Sequence, residues 1–137
     1  MIAQYLWQAG SLMIALMGLL HLRGTLFSKA MHPRDEQLIA DMQATPLILT
    51  DKLTMWPSWI GFNATHSSGA IFLGMINCYI GYKYFGLLQS DPFFAVLTLL
   101  IIGFYAWVAG KYWFKTVFLL LAAAWLCFIV AAILMYM

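Results

Sequence analysis

The sequence predicts an all-α integral membrane protein, a four-helix up-and-down bundle with a short amphipathic interfacial helix in its first loop. Composition carries the first part of that expectation. Of 137 residues, 64% are hydrophobic and 9% charged, with a mean hydropathy of +0.87, whereas a soluble domain carries about a quarter charged residues. Four long apolar runs, at about 4–27, 56–82, 92–110 and 116–137, reach or approach the ~20 residues that cross about 30 Å of hydrocarbon. The runs use most of the chain, so residues 1–137 read as a single transmembrane domain with one sizeable loop, 28–55. The third observation is a stripe of polar and small residues inside the second run: Asn63, His66, Ser67, Ala70, Gly74, Asn77 and Gly81 recur at spacings of three or four.

The first span starts almost at Met1, with no basic residue ahead of it and no small-residue cleavage site, and is expected to stay in the mature protein. Gln4, Gln8, Ser11, Ala15 and Gly18 share one stripe of it, which suits close approach of another helix. His21 lies one turn beyond Gly18, and Arg23 can reach the headgroups as an interface anchor.

The 28–55 loop holds every acidic residue except Asp91. Pro33 suits a first helical turn, Asp35 and Glu36 favour a helix N-terminus, and Leu38, Ile39 and Met42 form one apolar edge before Thr45 and Pro46 stop the run. The reading is an amphipathic helix over 33–44 at the membrane surface, with Leu47, Ile48 and Leu49 turned back toward lipid or under the second span. His32, beside Pro33, needs no special role there.

Trp56 and Trp59 bracket Pro57 at the start of the second span, and Tyr79, Tyr82, Lys83 and Tyr84 mark its exit, the pattern of an aromatic belt. The polar stripe between them must face protein, because an imidazole or amide turned to hydrocarbon loses water without gaining a partner. A tight turn at 87–94 follows, with Ser90 or Asp91 as cap and Pro92 in the first turn of the third span. Ala95, Ala106 and Ala109 share a packing face, with Gly103 and Gly110 nearby. The fourth span is alanine-lined, carries no charge after Lys115, and places Trp125 near its middle, where the indole N–H wants an acceptor.

Cys78 and Cys127 fall inside different spans, so they read as small buried thiols and not as a disulfide or clustered metal motif. A formal net charge of +2 gives no reason to expect nucleic acid as a partner. The bases act as topological signals instead: Arg23, Lys29, Arg34, Lys52, Lys111 and Lys115 lie on the side of the first and third connections, and Lys83 alone lies opposite. That bias places the 28–55 loop in the cytoplasm and both termini outside.

Chemistry concentrates at one depth. His66 lies ten residues into the second span from Trp56, about 15 Å at ~1.5 Å per residue, and His21 is about 9 Å from the cytoplasmic end of the first. If the two spans are antiparallel neighbours, His21, Asn63, His66 and Ser67 converge on one site, a candidate for holding the polar end of a lipid or apolar ligand. Two histidines also admit metal or haem ligation, and His66 with Asn63 an acid–base role, so no cofactor is assigned and enzymatic activity is left open. The competing reading is that these groups are interhelical hydrogen bonds of the ordinary kind, worth about 0.6–2 kcal/mol each. No HExxH, serine nucleophile motif or glycine-rich phosphate loop occurs. Every carboxylate lies outside the spans, so a proton-coupled carrier would lack its usual intramembrane acid.

The run from Gly61 to Gly69, GFNATHSSG, together with the HLRGTLF segment around His21, resembles a group of small, uncharacterised four-helix bacterial integral membrane proteins. The resemblance implies a fold and a place in the bacterial cytoplasmic membrane, and points to Asn63 and His66. It supplies neither activity nor cofactor. Expected partners are the lipid bilayer and a membrane-protein partner or a second copy of the chain.

Overall fold

The computed structural model describes all 137 residues, of which 82% are helical. In chain order the elements are α1 (Ile2–Phe27), α2 (Glu36–Ala44), β1 (Pro46–Leu47), β2 (Thr50–Thr54), α3 (Met55–Lys83), α4 (Phe85–Ser90), α5 (Pro92–Tyr112) and α6 (Lys115–Tyr136). The all-α class holds, with one small antiparallel hairpin as its exception.

Three helices, α1, α5 and α6, are long and apolar enough to cross a membrane. At 29 residues α3 is longer than any of them, but Asn63, Thr65, His66, Ser67, Ser68 and Asn77 dilute its middle. Those side chains are mostly satisfied locally. Thr65 and Ser67 donate to the carbonyls of Gly61 and Asn63 at 2.9 and 2.6 Å, and Ser68 to that of Thr65 at 2.8 Å.

The chain forms two compact units, one of residues 1–16 with 71–137 and one of residues 17–70. In the first, Gly74 packs on Ser11 and Ala15, and Gly81 on Trp7, a register that runs α3 antiparallel to α1. Trp7 is wholly buried. Its ring meets Phe128 of α6 edge-on at 4.9 Å, and its indole donates to the Asn77 carbonyl at 3.2 Å. Asn77 then serves twice more, giving its amide N–H to the Leu73 carbonyl at 3.0 Å and accepting from the Thr98 hydroxyl of α5 at 2.9 Å.

The α5 and α6 pair closes on small residues. Ala95, Thr98, Ile102, Ala106 and Ala109 are the buried positions of α5, and Leu121, Ala124, Phe128, Ala131 and Ala132 those of α6. Gly110 lies against Phe118 and Gly103 against Trp125, again an antiparallel register. The Trp125 indole finds its acceptor in the Leu99 carbonyl at 2.9 Å. Between α3 and α5 the expected tight turn is instead the single-turn helix α4, whose Leu88 is fully buried and accepts at its carbonyl from the Tyr136 hydroxyl. Asp91 caps α5 as expected, accepting from the Phe93 N–H at 2.9 Å ahead of Pro92. Cys78 and Cys127 are free and only half-buried.

The second unit contains the 28–55 connection. Its helix begins at Glu36, with Asp35 as N-cap accepting from the Gln37 N–H at 2.9 Å. Pro33 precedes the helix, where the sequence placed it in the first turn; the Asx cap at Asp35 sets the boundary. Leu47, Ile48 and Leu49 build a hairpin: Leu47 pairs with Thr50, and Ile48 and Leu49 form its fully exposed tip. Pro46 cannot continue α2 and is tolerated as the first residue of a strand, while threonine and leucine suit the short ladder that follows. The Met55 N–H bonds the Thr45 carbonyl at 2.9 Å, closing the hairpin at the start of α3.

Candidate functional site

The polar stripe of α3 is buried at Asn63, Ser67, Ala70, Gly74, Asn77 and Gly81, and exposed at His66. The helical wheel leaves room for the difference. His66 stands about 60° from Asn63, at the margin of the stripe, whereas the other five fall within about 40° of it. The expectation that His66 points into the interior is therefore corrected: its ring sits at an edge.

Within the second unit, α1 brings His21 to Asn63. Nε2 of His21 lies 3.1 Å from Oδ1 of Asn63. The amide orientation follows from the helix itself, because Nδ2 of Asn63 donates to the Trp59 carbonyl one turn back at 2.8 Å. Oδ1 is left to accept, so the His21 imidazole carries a proton at Nε2. Thr25 bonds the backbone that carries His21. It is buried, and its hydroxyl donates to the His21 carbonyl at 2.9 Å.

His66 meets His21 edge-on, with ring centroids 5.8 Å apart at 80°, and lies parallel to Phe62 at 6.3 Å. Ser67 is almost wholly buried and donates to the Asn63 carbonyl, so it supports the backbone that carries Asn63 and presents no donor toward His66. Of the four residues singled out from the sequence, His21, Asn63 and His66 come together, with Asn63 buried, and Ser67 lies beneath them. No carboxylate or thiol joins them, and no group of three or more His, Cys, Asp or Glu side chains is placed to hold a metal ion. Every buried side-chain nitrogen and oxygen has a hydrogen-bond partner, as burial demands.

The sequence reading missed Thr25, Phe62 and the Trp59 carbonyl. Each lies four residues from a histidine or asparagine of the cluster, so a search one helical turn on either side of His21, Asn63 and His66 finds all three. Chemically, the arrangement offers two imidazole edges, one orienting amide and an aromatic wall, which suits grasping a polar head attached to an apolar body.

Searches against protein-family models, curated proteins and solved structures find no match. The class defined by the fold is an all-α protein with three helices fit by length and apolarity to cross a bilayer.

Proposed function

We propose that this is a four-span bacterial cytoplasmic-membrane protein, α1, α3, α5 and α6 crossing in up-and-down order with both termini outside, that binds a lipid or similar apolar molecule by its polar end. The observation carrying the binding reading is the His21–Asn63–His66 cluster, in which a buried, oriented amide fixes one imidazole while the other lies open at the surface beside exposed Phe62.

A crossing by α3 is supported by the way its polarity is distributed. Asn63, Ser67 and Asn77 are buried, while Phe62, Phe72, Met75, Ile76 and Tyr79 are exposed beside Thr65, His66 and Ser68, so the outer surface carries large apolar side chains along most of its length. Its exposed hydroxyls bond carbonyls of its own preceding turn, which removes most of the cost of placing them in hydrocarbon. The orientation rests on six basic residues against one.

Native mass spectrometry of protein extracted in mild detergent, with an absorption spectrum, tests the binding reading. A lipid or apolar molecule retained by the wild type and lost from His66→Ala and Asn63→Leu, with helicity by circular dichroism preserved, is expected. Retention unchanged in both variants overturns the proposal, since no other polar cluster lies at this depth. A Soret band abolished by His21→Ala overturns it in favour of haem.

A further inference from the structure

A second constellation lies away from the histidine pair, in the 28–55 connection and the first turns of α3. An open concavity there is lined by Met31, His32, Pro33, Met42 and Trp59. Three of these five side chains are metal donors: two thioethers and an imidazole. None is a carboxylate. Two contacts brace the walls. The Trp59 indole donates to the Met31 carbonyl at 3.2 Å, fixing the indole against that turn. The His32 ring is braced edge-on by Trp56, with centroids 4.9 Å apart at 90°. Met42 reaches the concavity from α2, whose position is set by the Asp35 cap at one end and the Thr45 backbone at the other.

We propose that this concavity is a binding site for a soft monovalent metal ion, Cu(I) in a cell, with Met31, Met42 and His32 as its three ligands and the Trp59 indole as its wall. Thioether sulfur is a weak donor to hard or borderline cations and a good one to Cu(I), and imidazole suits the same ion. Neutral ligands alone suffice because the ion carries a single charge, and an electron-rich indole beside it adds favourable cation–π attraction. Calcium and magnesium want oxygen, which this donor set lacks. Binding involves no redox step: three neutral donors coordinate the ion and no proton is displaced if the coordinating imidazole nitrogen is the unprotonated one. The alternative role of the two methionines is apolar filling beside Trp59, which would leave them indifferent to metal.

The test uses the full-length protein in mild detergent, anaerobically and under reducing conditions, titrated with Cu(I) against a chromophoric chelator. One ion per chain is expected, with sulfur as well as nitrogen scatterers in the X-ray absorption spectrum. The Met31→Leu/Met42→Leu variant keeps side-chain volume and is expected to lower affinity at least tenfold with circular dichroism unchanged; His32→Ala should do the same. Absence of stoichiometric binding overturns the proposal, as does a spectrum of nitrogen and oxygen scatterers alone. Binding retained by the double methionine variant and lost from His21→Ala/His66→Ala overturns it too, by assigning the ion to the other histidines.

Discussion

An added Cβ at Gly74 would stand 2.5 Å from the backbone nitrogen of Ala15 and 2.7 Å from the Ser11 carbonyl oxygen. Both obstacles are main-chain atoms of another helix, so relief requires α1 and α3 to separate. Small-to-large changes in well-packed sites cost about 1–3 kcal/mol. Gly74→Ala is therefore expected to lower the midpoint of thermal unfolding in detergent, and Gly74→Leu to do so more strongly. Gly61 and Gly69, on the same helix, have nothing within 4 Å of such a Cβ, and their alanine variants should match or slightly exceed the wild type. Leu119→Ala, at an exposed position, should change little.

Thr98→Val leaves Oδ1 of Asn77 without the hydroxyl it accepts from, while preserving side-chain shape. A loss of about 0.6–2 kcal/mol is expected, the range of interhelical hydrogen bonds in membranes. Combined with Asn77→Ala it should cost less than the sum of the two single changes, and additive effects in that double-mutant cycle would show that the bond contributes nothing.

Nitrogen NMR of the imidazoles checks the cluster directly. His21 is expected as the Nε2–H form, because the Asn63 amide N–H is already given to the Trp59 carbonyl. Asn63→Leu should abolish that preference. A wild-type His21 protonated only at Nδ1 would contradict the amide orientation.

Orientation is tested by labelling single cysteines in a variant in which Cys78 and Cys127 are alanine. A cysteine replacing Ala40 of α2 is expected to be protected from impermeant reagent in intact cells, and one appended after Met137 to react. Reaction at position 40 from outside would reverse the topology proposed from the basic residues.

Much of the fold was legible because helices in an apolar solvent satisfy their own backbone and leave their faces to be read from spacing. The α3 stripe, the alanine face of α5, the Asp91 cap and the need of Trp125 for an acceptor all follow from local sequence, since each depends on residues within one or two turns. Less was legible where a distant segment chose between local options. The apolar tripeptide 47–49 suits a hairpin or a return toward lipid, and the pairing of Pro46 with Thr54 decides for the hairpin. The 87–94 segment becomes partly helical, and Leu88 lies fully buried with its carbonyl taking the Tyr136 hydroxyl. Residues 31–59 converge on one concavity only when the hairpin folds α2 back toward the start of α3.

His21 and Asn63 were nameable from depth alone, but their hydrogen bond and the outward edge of His66 were not. Helical periodicity determines which residues share a face and how far along the axis they lie. The 60° that separates His66 from Asn63 leaves it inside or outside the contact depending on how the neighbouring helix approaches, and the 3.1 Å approach of His21 to Asn63 joins residues far apart in the chain, which spacing within one helix does not reach.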